Sequence, residues 1–237
     1  MVTDKFERHR SLDKGTVVFS PCSEAKNDSV PIPPGSRVVH PSYYVADTNL
    51  LQQLVRVRQR ILQDPRANVG TKVTYAFDLY VLAGNAYKHL KDNVFNQLKS
   101  VLLSSEIEWL FLSGGYGVIH ALEPARKYRA TFNRSIAYRR KIPFTTSLWK
   151  VTLSSIFDSI VSRFNPRWVY VFGSRDYTAF IKQTNFWRTS ANVKMFENTG
   201  SSGPYWLSPR LNDLANAMIT KNLIQFNQKY TQRFYKQ

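Results

Sequence analysis

The chain has 237 residues, 43% of them hydrophobic, and carries a net charge of +17 from 33 Lys and Arg against 16 Asp and Glu. That length and apolar content suit one large folded domain, spanning 1–237, and exclude a disordered tail. The cationic excess favours an anionic partner, nucleic acid before membrane, because no stretch approaches the roughly 20 consecutive apolar residues that cross a bilayer.

The N-terminal MVTDKFERHRSLDK lacks the apolar core of a signal peptide, so a cytoplasmic protein is expected. Thr16–Ser20 then reads as a strand and runs into the polar turn SPCSEAK, Ser20–Lys26. VPIPP at Val30–Pro34, followed by Gly35, must be a loop. Asp47 caps a helix predicted over Thr48–Leu62, with Leu51, Leu54, Val55 and Leu62 at helical spacing and Pro65 just past its end. Val73–Leu82 reads as a second strand and leads into LAGNAY, Leu82–Tyr87. A helical pattern covers Tyr87–Leu103, and Trp109–Ser113 is a third strand, ending in the turn SGGYG, Ser113–Gly117. Residues 126–150 form a basic helical insertion, after which come a helix over Leu148–Phe164 and a strand over Trp168–Gly173 ending in GSRDY, Gly173–Tyr177. Val193–Glu197 is the last predicted strand. Residues 198–207 form a connecting loop, and Ser208-Pro209 is a cap and first-turn proline ahead of a helix over Leu211–Phe226.

Strands alternating with helices predict a layered α/β fold with a mostly parallel sheet, flanking helices and a basic helical DNA-gripping element. Ligands of such sheets gather at the carboxyl ends of the strands, where the four polar turns converge. Glycines in Ser113–Gly117 and Gly173–Arg175 let backbone amides approach a phosphate closely. Beyond the first of these turns, Arg126, Lys127, Arg129, Arg134, Arg139, Arg140 and Lys141 follow one another with no acid among them, and with Tyr128, Phe132 and Tyr138 interleaved. Cations with stacking rings suit a polyanion whose units carry flat bases. The single cysteine, Cys22, excludes an internal disulfide and gives no reason to expect a disulfide-linked partner. His9, His40, His89 and His120 lack zinc-ligand spacing, so no cofactor is expected and only carboxylate-held magnesium stays open.

Read in order, these motifs resemble the YaaA family of peroxide-stress and DNA-binding proteins and its wider relatives. SPCSEAK resembles the family's Ser-Pro-Ala-Lys segment in a Cys-Ser-x-x-Lys version carried by Cys22, Ser23 and Lys26. SGGYGVIHALEPARKYR, Ser113–Arg129, resembles Ser-Gly-x-Tyr-Gly-x-x-x-Pro-Leu-Asp-x-x-x-x-Tyr-Arg, with Ser113, Gly114, Tyr116, Gly117, Leu122, Tyr128 and Arg129 on matching positions. Ala76–Tyr87 is similar to the middle motif through Gly84 and Tyr87, and Gly173–Tyr177 to a Gly-x-x-x-Tyr turn. The family's Pro-Leu-Asp is Ala121-Leu122-Glu123 here, and its usual arginine ahead of the proline is His120. The resemblance implies an α/β DNA-binding fold in which a helix-hairpin-helix-like element grips the duplex.

A nucleotide unit flipped out of DNA needs rings to stack on, amides for its phosphate and a carboxylate for chemistry. Tyr116, Tyr87, Tyr128 and Phe172 are the stacking candidates. Asp78, Glu123 and Asp176 are the acids nearest the motif turns, and of them Asp78 and Glu123 are the catalytic candidates, with Lys26, Tyr128 or His120 as proton donor. Ser20, Cys22, Ser23, Gly84, Ser174, Arg175 and Tyr177 complete the candidate substrate site. The inventory fits a DNA glycosylase that excises a damaged or hypermodified base, in repair or in antiviral defence. A non-enzymatic DNA-binding stress protein is the first alternative, and an enzyme transferring sugars between free nucleosides or nucleotides the second.

Overall fold

Six strands form the main sheet of the computed structural model, which describes residues 15–190, 192–199, 203–231 and 234–236. In chain order the strands are β1 (Thr16–Pro21), β2 (Val73–Tyr75), β3 (Ile107–Ser113), β4 (Gly117–His120), β5 (Pro124–Arg126), β6 (Trp168–Ser174), β7 (Val193–Asn198) and β8 (Phe234–Lys236). The main sheet has the order β4-β3-β1-β6-β7-β8, with β4 antiparallel to β3 and the other neighbours parallel, while β2 and β5 pair antiparallel in a small second sheet. β1, β3 and β7 are buried along their whole length, which is why they read in the sequence as unbroken apolar runs rather than alternating ones.

The flanking helices are α1 (Pro41–Tyr44), α2 (Thr48–Leu62), α3 (Ala76–Val81), α4 (Lys88–Asn93), α5 (Phe95–Leu103), α6 (Arg134–Arg140), α7 (Thr146–Trp149), α8 (Leu153–Phe164), α9 (Arg175–Ile181), α10 (Asn185–Thr189), α11 (Ser208–Ile219) and α12 (Leu223–Lys229). One cluster of buried side chains runs from Val17 to Tyr230 and joins sheet and helices. Asp47 caps α2 as expected, accepting a hydrogen bond from the Leu50 N–H at 2.9 Å. No helix among the described residues is long and apolar enough to cross a membrane.

The structure corrects several predicted elements. The run Val73–Leu82 is a strand only to Tyr75 and becomes α3; all six helical side chains are buried, Asp78 included, so no exposed face reveals a helical period. The first amides of α3 are satisfied from outside: Ala76 N–H donates to the Glu123 carbonyl at 3.0 Å and Phe77 N–H to the Ala121 carbonyl at 2.9 Å. The predicted helix over Tyr87–Leu103 breaks at Val94, and the one over Leu211–Phe226 breaks at Lys221, which adopts a left-handed φ of 54°. Ser208 opens α11 without capping it. Its hydroxyl instead accepts the His89 N–H at 3.0 Å and tethers α11 to α4.

From β1 the chain moves to β3 on one side and to β6 on the other. This reversal leaves a crevice at the carboxyl ends of the central strands, the usual ligand position in open α/β sheets.

Candidate functional site

A cavity of about 1390 Å³ opens at that edge. The end of β1 supplies Pro21, Cys22 and Ser23, and the loop after it supplies Glu24 and Lys26; β6 contributes Ser174, α9 contributes Tyr177, and β7 contributes Asn198. The opposite wall is the segment Lys127–Thr131, with Ile136 and Arg140 of α6. This wall is stitched in place by backbone bonds on both flanks. Gly70 N–H donates to the Lys127 carbonyl at 2.8 Å and Arg129 N–H to the Ala67 carbonyl at 2.6 Å, while Thr131 exchanges bonds with Pro143 and Thr145. The α6 cap ties in a further element: Asn133 Oδ1 accepts from Ile136 N–H at 2.9 Å, and its Nδ2 donates to Asp176 of α9 at 2.6 Å.

Phenols and one amine line the cavity's inner wall. Tyr128 Oη lies 2.6 Å from Ser113 Oγ and accepts a hydrogen bond from Tyr80 Oη at 3.2 Å, and Tyr177 Oη lies 3.5 Å from Cys22 Sγ. Burial raises the Tyr80, Tyr128 and Tyr177 phenols well above the usual tyrosine range, so all three keep their protons at neutral pH. The Lys26 amine sits 4.3 Å above the centre of the Tyr128 ring and donates to the Glu24 carbonyl at 3.3 Å. Desolvation lowers its pKa below that of a free lysine. Lys127 and Arg129 push it in the same direction, against an opposing pull from Cys22.

Lys127, Arg129 and Arg140 bring three more cations to the cavity wall. Lys127 pairs with Asp28 at 3.5 Å and Arg140 with Glu24. Among the described residues no carboxylate pairs with Lys26, Arg126, Arg129, Arg134, Arg139 or Lys141. Arg126, Arg134, Arg139 and Lys141 are exposed but lie off the cavity lining, as does the exposed Arg175.

The two expected catalytic acids do not reach the cavity. Asp78 is fully buried, with Lys99 Nζ at 2.7 and 2.9 Å from its two carboxylate oxygens. Burial raises its carboxyl and the Lys99 ammonium pulls it partly back. Glu123 is buried against Arg58, with Nη1 at 2.6 Å, and accepts the Tyr44 hydroxyl at 2.8 Å. Arg58 is completed by the Tyr116 carbonyl at 2.9 Å and the Val118 carbonyl. The neighbouring His120, a candidate donor, is also engaged: its Nδ1 accepts the Leu122 N–H at 3.1 Å, so Nε2 carries the proton toward Glu108 at 3.0 Å.

The glycine turn is likewise not a wall of the cavity. Ser113, Gly114, Tyr116 and Gly117 are all buried behind the Tyr128 segment, and Ser113 Oγ accepts the Tyr116 N–H at 2.9 Å. Packing explains the glycines. A Cβ on Gly114 would come within 2.6 Å of the Ala130 carbonyl, and one on Gly115 within 2.5 Å of the Tyr128 ring. Gly84 and Gly173 are also packing positions, against Ser23 and Tyr177 respectively. Of the remaining candidates, Ser20 and Tyr87 bond to each other at 2.9 Å in the core, and Phe172 stacks on Phe196 with ring centres 4.6 Å apart. Tyr116 meets Tyr128 edge-on in the interior, so of the expected stacking rings only Tyr128 faces the cavity.

Sequence reasoning missed Asn68, Asn85 and Asn198, three amides on the lining, and Arg58, which anchors Glu123. Arg58 had a signal. Its spacing from Leu54 and Ile61 puts it on the buried stripe of α2, where an arginine demands a partner. No protein-family model matches the chain, and no curated protein matches it.

Proposed function

We propose that this chain is a nucleic-acid-binding protein whose cavity receives one nucleotide of a strand, and that it cleaves the N-glycosidic bond of that nucleotide. The observation carrying this reading is the arrangement of Lys26, Lys127, Arg129 and Arg140 around a cavity of about 1390 Å³ beside the exposed cations of α6. The volume exceeds the roughly 300–1,000 Å³ of ordinary small-ligand pockets, leaving room for a base, its sugar and flanking phosphates. Phosphates neutralise cations such as Lys26 and Arg129, which have no acid of their own among the described residues. The YaaA resemblance and the +17 charge point the same way.

One observation favours the non-enzymatic alternative. Asp78 and Glu123 are held in ion pairs away from the cavity, so the carboxylate chemistry first expected of them has no place there. A DNA-binding protein without an active centre needs only the cations. Two measurements on one set of oligonucleotides test the reading. Affinity for single- and double-stranded DNA should fall steeply with salt, and Arg129→Ala and Arg140→Ala should each flatten the log–log slope by about 1. A slope near zero overturns nucleic-acid binding. Release of free base from DNA carrying damaged or hypermodified bases establishes the enzymatic part, while tight, salt-dependent binding without base release across a broad panel leaves the non-enzymatic protein.

A further inference from the structure

The cavity holds a cationic amine and a thiol but almost no acid. Among the described residues Glu24 is the only carboxylate on its lining, and that side chain is largely exposed and paired with Arg140. Carboxylate-assisted attack by water, the route first expected of Asp78 and Glu123, would therefore fall, among the described lining residues, to a carboxylate already held in an ion pair. Cys22 and Lys26 are the strongest nucleophiles on the described lining, where Ser23, Thr131 and Ser174 offer hydroxyls without a base beside them. Cys22 Sγ lies 3.5 Å from the Tyr177 phenol, which is no base, and among the described residues no histidine lies on the lining. Lys26 stands on the first turn after β1 with its amine over the Tyr128 ring, no carboxylate beside it, and Lys127 and Arg129 on the same wall.

We infer that Lys26 is the nucleophile of the site, attacking the sugar C1′ and holding the deoxyribose as an imine; this rests on the nucleic-acid reading above. The Lys26 nitrogen forms the new bond to C1′ as the C1′–base bond breaks. The base leaves with the bonding pair and receives the proton that the amine sheds. The nitrogen lone pair then opens the sugar ring, giving a protonated imine at C1′ and a hydroxyl at C4′ after uptake of a solvent proton. Loss of a C2′ proton and departure of the 3′ phosphate cut the strand, and water releases the amine. Desolvation together with Lys127 and Arg129 lowers the Lys26 pKa, which favours the neutral amine that can attack. The same cations can neutralise the departing phosphate.

The experiment bypasses the unknown base. The full chain is incubated with an oligonucleotide carrying a preformed abasic deoxyribose, single- and double-stranded, in the presence of sodium borohydride, which adds hydride to an imine and fixes the adduct. A protein–DNA adduct whose peptide maps to Lys26, absent in a Lys26→Arg variant that melts like the parent, is the expected result. No adduct, an adduct mapped to another lysine, or one retained in Lys26→Arg overturns the assignment. The broader reading fails separately. Base release from modified DNA without a trapped Lys26 adduct overturns the imine and keeps the glycosylase, whereas a negligible salt slope overturns nucleic-acid binding itself.

Discussion

Two regions of this protein handle charge in opposite ways. At the turn between β4 and β5, Glu123, Arg58 and Tyr44 close on one another, and Arg58 is completed by two backbone carbonyls. At the carboxyl edge of β1, β6 and β7, by contrast, Lys26 and Arg129 line a wide cavity, and among the described residues no carboxylate pairs with either. The first arrangement satisfies itself and needs nothing from solvent. The second leaves the Lys26 amine desolvated beside Lys127 and Arg129, which disfavours its charged form. Acidic residues are few here, 16 in the chain, so where they are spent is informative. Asp78 and Glu123 are spent on architecture.

Breaking the closed region should produce the largest effect. Arg58→Met leaves Glu123 buried without its cation, and losing one partner of a buried pair costs about 3–5 kcal/mol. The variant should unfold at markedly lower denaturant concentration than the parent. Glu123→Gln, which retains an acceptor for Tyr44 but not the charge, should lie between the two. If either variant melts like the parent while losing a DNA-dependent activity, the division between the two regions is wrong and Glu123 belongs to the chemistry.

How much of this was legible in the sequence depended on whether one letter had one meaning. The parallel strands β1, β3, β6 and β7 were legible because strands covered on both faces read as short apolar runs. The cavity's first wall was legible through Cys22, Ser23 and Lys26, and its second through Tyr128 and Arg129. The glycine turn was misread because a glycine that makes room for a ligand and one that makes room for a tyrosine ring are the same letter; only the approach of Tyr128 to Gly115 separates them. The acids were misread for a related reason. Asp78 stands beside motif residues in the chain, but its partner Lys99 is 21 positions away and is brought to it by the packing of α3 on the start of α5.

The glycine turn supplies a prediction of intermediate size that ties the two regions together. Gly115→Ala places a methyl within 2.5 Å of the Tyr128 ring, and the contact is with a rigid aromatic whose hydroxyl is fixed by Ser113 and Tyr80. Overpacking of this kind costs about 1–3 kcal/mol. The ring carries Lys26 above it and forms part of the cavity wall, so the same substitution should also weaken oligonucleotide binding. A variant destabilised by that amount yet unchanged in affinity would show that the wall tolerates movement of Tyr128. One that is neither destabilised nor altered would remove the packing account of the turn.

The smallest effect should have the opposite sign. Lys26 has a pKa lowered first by desolvation and then by Lys127 and Arg129, so its charged form is disfavoured in the folded protein relative to the unfolded chain. The unfolded chain therefore binds more protons between the two pKa values, and stability rises with pH through that interval. Below the folded value the penalty is present in full, and above the ordinary lysine value of about 10.4 it is gone. Lys26→Met keeps the contact with the Tyr128 ring and removes the charge. It should raise the melting temperature at neutral pH by an amount worth less than about 1 kcal/mol, with the gain shrinking toward alkaline pH. A variant that is instead less stable at pH 7, by a margin independent of pH, would mean that Lys26 is held by favourable contacts of its own. The cavity would then resemble the Arg58–Glu123 region rather than contrast with it.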